Sequence, residues 1–197
     1  CGKGEYTVQL AEKFPENNYL GVDIKGARMW KGAKMSATAG LKNVGFLRTN
    51  IEMIARFFEP GEVDEIWLTF PDPHMKKTKK RLTSTGFLNE YRKILKPGGV
   101  VHLKTDSLFQ YTYTRMMAVQ NGFEMVADTD DLYQSEMLNE ILQIKTFYEK
   151  QWISRGITIK YLAFRLNDNT LTEPDVEIQR DDYRSFGRSA REIHDDF

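Results

Sequence analysis

Short apolar runs alternate along this chain with longer stretches in which apolar side chains return every three or four positions. The first pattern suits buried strands and the second suits helices with one face on a core. The alternation predicts an α/β fold with a doubly wound, mostly parallel sheet. Residues 18–23 (Asn-Tyr-Leu-Gly-Val-Asp) read as a strand ending in an acid, and 26–39 as a helix stopped by Gly40. A strand at 44–47 and a short helix at 50–58 follow, the latter ended by Pro60-Gly61. Residues 65–70 (Glu-Ile-Trp-Leu-Thr-Phe) form the clearest strand, broken by Pro71. Helix 87–95 gathers Phe87, Leu88, Tyr91, Ile94 and Leu95 on one face and stops at Pro97-Gly98-Gly99. Strand 100–105, helix 108–120, strand 123–127, a helix at 135–155 and a last strand at 158–166 complete the series. After Leu166 the periodicity fades. The chain thus divides into a body, residues 1–166, and an acidic tail, residues 167–197, expected at the periphery.

Charge changes this picture. The 28 Lys+Arg and 28 Asp+Glu cancel, which argues against a wholly basic nucleic-acid binder but not against one whose charges are segregated. They are segregated: from Glu173 to Phe197 eight acids face four arginines, a balance of −4, so residues 1–172 carry +4. The single cysteine, Cys1, can neither close an internal disulfide nor build a cysteine-rich zinc site, which points to a reducing, cytoplasmic compartment. His74, His102 and His194 are too scattered for a metal site, so no metal is expected. No apolar run approaches the roughly 18 residues of a membrane span.

Candidate chemistry begins at Gly2-Lys3-Gly4, a turn leading into a helix, where glycines let backbone approach a ligand closely. Asp23, at the end of the next strand, stands where an acid commonly accepts hydrogen bonds from a ribose. Thr7 occupies the place of the third small residue of a dinucleotide fingerprint, which disfavours a pyrophosphate ligand. S-adenosylmethionine (SAM), with a ribose and no phosphate, fits better. A plain turn and a helix-capping acid explain these two features equally well.

Phe70-Pro71-Asp72-Pro73 is more specific. The prolines fix their own φ and restrict the residues before them, so Phe70 and Asp72 are expected to be extended, with the Asp72 carboxylate aimed at the cofactor edge of the sheet. Behind it, Lys76, Lys77, Lys79, Lys80 and Arg81 put five cations into six residues. An isolated run of this kind is usually a solvated loop. Abutting a rigid acid, it suits the phosphate backbone of RNA.

Four separated motifs give the chain a resemblance to the TrmB family, bacterial tRNA (guanine-N7-)-methyltransferases of the Rossmann-like, SAM-dependent class. They are Gly2-Lys3-Gly4-Glu5 with Gly21-Val22-Asp23, Phe70-Pro71-Asp72-Pro73 with its basic run, Lys104-Thr105-Asp106, and Thr146-Phe147-Tyr148-Glu149. The resemblance implies formation of 7-methylguanosine at a tRNA variable-loop guanine, with SAM as cofactor and tRNA as partner. It places Asp72 in the active site and beside SAM, with Gly2, Gly4, Asp23 and Asn50 as further SAM contacts. Lys76, Asp106, Thr146 and Glu149 fall on the substrate side, and Lys77, Lys79, Lys80 and Arg81 on the RNA backbone. Such a transfer needs no general base, because guanine N7 carries a lone pair and no proton. It needs alignment, carboxylates near the positive charge as it moves onto the base, and acceptors for N1–H and the N2 amine. Taken alone, Asp106 is equally well explained as a helix N-cap, and Glu149 is better explained as an exposed helical acid paired with a nearby Lys.

The chain departs from that family pattern in three ways. His74 stands where the family usually has Trp, and Asn50 where many members have an acid. The family's first SAM-binding acid lies on a strand before the glycine turn, and that strand is not in this sequence, so the chain is expected to be part of a longer protein. Two rivals follow: a SAM-dependent methyltransferase acting on another RNA or a small molecule, and a non-catalytic RNA-binding protein with a degenerate SAM site.

Overall fold

The computed structural model describes residues 1–182. The tail's remaining charges (Arg184, Arg188, Arg191, Glu192, Asp195 and Asp196) and His194 lie outside the described residues. The chain opens on the Cys1–Gly4 turn and enters α1 (Glu5–Lys13), which buries Tyr6, Val8, Leu10 and Ala11. Strand β1 (Tyr19–Asp23) crosses through α2 (Gly26–Thr38) to β2 (Val44–Arg48), its parallel partner. A second parallel pair, β3 (Val63–Thr69) and β4 (Leu95–Thr105), is joined through α3 (Thr85–Ile94). Then α4 (Leu108–Gln120), β5 (Glu124–Thr129) and α5 (Phe147–Ser154) lead to β6 (Lys160–Arg165). The last strand inserts antiparallel to both neighbours, giving the order β3-β4-β6-β5, while β1-β2 is a separate ladder.

The main core lies under α3 and α4, where Leu88, Tyr91, Tyr113 and Met117 meet Leu103, Leu162 and Phe164 of the sheet. Helix α1 joins the two ladders: Tyr6 and Leu10 pack with Tyr19 of β1 and Trp67 of β3. On the other face of β3-β4-β6, Trp67 stacks on His102 at 3.8 Å, and His102 Nδ1 lies 2.8 Å from the Tyr161 hydroxyl. Trp30 is exposed beside Lys34.

The expected order of strands and helices is present, with three differences. Residues 50–58 hold only a 3-10 turn, Ile51–Arg56. The expected helix at 135–155 exists only as α5. Asn139 Oδ1 accepts from the N–H groups of Ile141 and Leu142, both at 3.0 Å, closing a side-chain turn. The Leu142 and Ile144 carbonyls then turn to Lys104 Nζ instead of a helix. Two apolar positions that mimic a helical stripe, Leu138 and Leu142, instead reach by an irregular path the cluster that Ile153 joins from α5.

The third difference is the tail, which is docked rather than peripheral over residues 167–182. Leu171 and Ile178 pack against the main core. The Glu173 carboxylate accepts from Thr85 N–H at 2.8 Å, Thr85 Oγ1 at 2.9 Å and the Tyr113 hydroxyl. Asp181 accepts from Phe109 N–H at 3.0 Å and from Ser107 Oγ. Two tail acids thus sit at the N-termini of α3 and α4, where exposed N–H groups and the helix dipole favour negative charge.

Candidate active site

Parallel strands deliver the residues that follow them to one edge of a sheet. Asp23 ends β1, Asn50 follows β2, Asp72 follows β3 and Asp106 follows β4. The strand ends are tied in pairs: Thr49 N–H donates to Asp23 O at 3.2 Å, and Phe70 N–H to Lys104 O at 2.8 Å.

The glycine turn closes on Asp23. Gly2 N–H donates to Asp23 Oδ2 at 2.8 Å and Lys25 N–H to Oδ1 at 3.0 Å, leaving a partly exposed carboxylate with lone pairs to offer. Gly4, at φ 74°, lets α1 start in a left-handed conformation. Its absent side chain also matters: a Cβ there would lie 2.7 Å from the Phe46 ring and 3.0 Å from Gly32 Cα. Gly32 on α2 is the reciprocal contact, since a Cβ on it would come within 2.9 Å of Lys3 O. Asn50 is exposed at the same edge.

The Phe-Pro-Asp-Pro segment departs from the extended backbone expected of it. Phe70 has φ 52° and His74 φ 42°, both left-handed and neither glycine. Tertiary contacts override the pre-proline preference: the Phe70 N–H is held by β4 and its side chain packs against the buried cluster that contains Leu132 and Tyr161. Each such residue costs about 1–3 kcal/mol, and outliers of this kind gather at functional sites. Between the two, Asp72 is exposed, and its Oδ1 accepts from His74 N–H at 3.2 Å.

Of the five cations behind Asp72, Lys76, Lys77, Lys79 and Lys80 are exposed around a 3-10 turn, Thr78–Lys80. Arg81 is not. It is 7% exposed, donates to the carbonyls of His74 and Met75, and stacks its guanidinium over Phe109 and Tyr113. A guanidinium with planar faces and a fork of donors suits this buckling role, which removes Arg81 from the RNA-backbone set.

The two acids expected on the substrate side, Asp106 and Glu149, are enclosed. Asp106 is fully buried, with its carbonyl 3.3 Å from Lys160 Nζ, and the N-cap of α4 is Ser107, so helix capping does not account for Asp106. Thr146 N-caps α5 in a capping box with Glu149. The Glu149 carboxylate also accepts from Tyr133 Oη at 2.6 Å and from Lys104 Nζ at 2.8 Å, both Lys104 and Glu149 being fully buried. In this conformation Glu149 therefore holds the segment together and does not present an open edge to a base. Burial pushes the Lys104 ammonium below its ordinary pKa, with Glu149 opposing, and raises the Tyr133 hydroxyl so that it remains a donor. Glu5 Oε2 accepts from Phe147 N–H at 3.0 Å, linking the glycine-turn helix to this segment.

Lys104, read from sequence only as part of the Lys104-Thr105-Asp106 motif, and Tyr133, not singled out at all, both bind the Glu149 carboxylate. A signal for Lys104 was present: a lysine inside an apolar strand has to find a buried partner.

Comparison with known proteins decides the family. A family model described as "Putative methyltransferase" matches residues 1–162. A Bacteroides thetaiotaomicron tRNA (guanine-N(7)-)-methyltransferase is 59% identical over 192 residues, covering 97% of this chain and 76% of the relative. The Porphyromonas gingivalis tRNA (guanine-N(7)-)-methyltransferase is 58% identical over 194 residues, covering 97% and 80%. The chain belongs to the tRNA (guanine-N(7)-)-methyltransferase family. Its fold is shared by the 16S rRNA methyltransferase KamB, with a TM-score of 0.61 at 15% identity over 88% of this chain and 85% of that one. With 97% of the chain aligned, the similarity to both tRNA methyltransferases runs through the docked part of the tail as well as the body.

Proposed function

We propose that this protein forms 7-methylguanosine in tRNA, in the cytoplasm, with SAM as methyl donor and the variable-loop guanine as acceptor. The observation that carries the reading is the strained turn that presents Asp72 at the strand edge, with four exposed lysines on the same loop. The residues present fit the cofactor. Gly2 has open space where a side chain would stand, Asp23 offers a partly exposed carboxylate to a ribose diol, and Asn50 can accept through its amide oxygen. The first turn of α1 carries Glu5, which disfavours a phosphate there and suits a phosphate-free nucleoside. When bound, SAM supplies an electrophilic methyl group on sulfur. Gly2, Gly4, Asp23, Asn50 and Asp72 hold it, and Lys76, Asp106, Thr146 and Glu149 take the guanine side. Because Asp106 and Glu149 are enclosed here, the base reaches them only after local opening.

The direct test incubates the protein with labelled SAM and two tRNA transcripts, one with the variable-loop guanine replaced. Label should enter only the unaltered transcript. Equal labelling of both would reject the assignment, and binding without labelling would favour the non-catalytic rival.

Two variants separate cofactor from RNA binding. Gly32→Ala forces a methyl group against the Lys3 carbonyl and the Phe46 ring, displacing the glycine turn. SAM affinity should fall about tenfold or more, as expected when about 1.4 kcal/mol of binding is lost. Calorimetric titration with SAM gives the answer. Replacing Lys76, Lys77, Lys79 and Lys80 together by Ala should raise the tRNA Kd and flatten its salt dependence, by roughly 0.7–0.9 in slope for each phosphate no longer neutralised. A salt slope equal to that of the parent protein would return these lysines to solvent.

A further inference from the structure

Lys104 performs no step in the transfer described above, yet it is fully buried beside the groups that do. Its backbone is locked on both sides, opposite Thr69 of β3 and Tyr161 of β6. Its ammonium has three donors and all are used: Leu142 O at 2.7 Å, Ile144 O at 2.9 Å and Glu149 Oε1 at 2.8 Å. These acceptors bracket the segment that ends in Thr146–Glu149. Between the 3-10 turn Leu132–Gln134 and α5 that segment has no helix or strand to set its course. Side chains set it instead. From α1, the Tyr6 hydroxyl donates to Ile141 O at 2.9 Å, and Glu5 accepts from Phe147 N–H. From β4, Lys104 does the rest, two residues before Asp106.

We propose that Lys104 is a positioning residue for methyl transfer: it ties the Thr146–Glu149 segment to the end of β4, two residues before Asp106, and so sets where that segment stands when it opens to the guanine. This deepens the function proposed above and rests on its placement of Thr146 and Glu149. A buried ion pair is seldom more stabilising than apolar residues of the same volume, so stability alone gives little reason for a lysine here. Geometry gives one. An ammonium is a compact point charge on a flexible stem, and its three rotatable donors serve two carbonyls and a carboxylate at once.

The test compares the parent protein with Lys104→Met and with the milder Lys104→Gln. SAM titration establishes that each variant retains the fold. In Lys104→Met, kcat/KM for tRNA should fall roughly 10²-fold, the scale of a misplacement of about 1 Å, while the SAM Kd stays within about threefold. Removing the ammonium also leaves a fully buried carboxyl group without its countercharge, an environment that favours the neutral form in the variant. If ionised Glu149 is required, kcat/KM in the variant will climb as pH rises through neutrality, a limb absent from the parent protein. Lys104→Gln should show the same limb with a smaller loss. A pH profile parallel to the parent's in either variant, or near-parent kcat/KM, would overturn the proposal. So would loss of SAM binding in both variants, which would make Lys104 a residue of general stability. Failure of the underlying function reads differently, because the parent protein itself would then not methylate tRNA.

Discussion

Asp72→Ala is expected to lower kcat for tRNA methylation by roughly 10²–10³-fold, the loss that follows removal of one preorganised charge-stabilising group. Asp72 is exposed, and within the protein its carboxylate accepts from His74 N–H. Folding stability should therefore fall by no more than about 1 kcal/mol, the net worth of one such bond. The lysines that would carry RNA affinity lie beyond it in the loop, so tRNA binding should largely survive. A carboxylate held at the strand edge stabilises positive charge as that charge passes onto the imidazole ring of guanine. Asp72→Asn separates this electrostatic role from the turn: Asn keeps the acceptor for His74 N–H and loses the charge. If Asn restores most of the rate, Asp72 acts by shaping the turn. If it leaves the enzyme as slow as Ala does, the charge is the active ingredient. Single-turnover rates with labelled SAM, paired with filter-binding affinities for tRNA, distinguish the two.

The alternation of strands and helices was legible because each strand carries its own punctuation. Pro71 ends β3, and Asp23 and Asp106 fall just where parallel strands deliver their ends; α3, by contrast, stops at Ile94, and Pro97-Gly98-Gly99 lies inside β4 instead of ending the helix. Three features were not legible, each because a distant residue decides a local conformation. Phe70 obeys its contact with β4 and the Leu132 cluster, not the proline after it. The 135–146 segment has helical periodicity but gives its carbonyls to Lys104. Arg81 belongs by composition to a solvated basic run, yet α4 offers it two aromatic faces, Phe109 and Tyr113, that no local pattern announces. The candidate site follows the same rule. Residues at strand ends, where position follows from topology, could be named from sequence. The state of Glu149 could not, since its partners Lys104 and Tyr133 lie 45 and 16 positions away.

Glu149→Ala should be the most destabilising substitution in the site. It removes the countercharge from Lys104 in a place with no access to water, and breaking one partner of a buried pair typically costs about 3–5 kcal/mol. Against a total stability of about 5–15 kcal/mol, that is a large share. The capping box is lost with it, so α5 should fray from Thr146. The pH dependence identifies the cause. Burial already pushes the Lys104 pKa down, and without Glu149 nothing opposes it. The folded variant then binds fewer protons than the unfolded chain at any pH between the lowered pKa and the ordinary lysine value of about 10.4, and stability rises with pH across that window. Urea unfolding of Glu149→Ala should give a deficit that shrinks measurably between about pH 7 and pH 9 relative to the parent protein. A deficit that stays constant over that range would mean that the lost cap and cavity, and not the stranded ammonium, account for the damage. Lys104→Met in the Glu149→Ala background sharpens the comparison: with the cation gone, part of the lost stability should return, and the pH dependence should disappear with it.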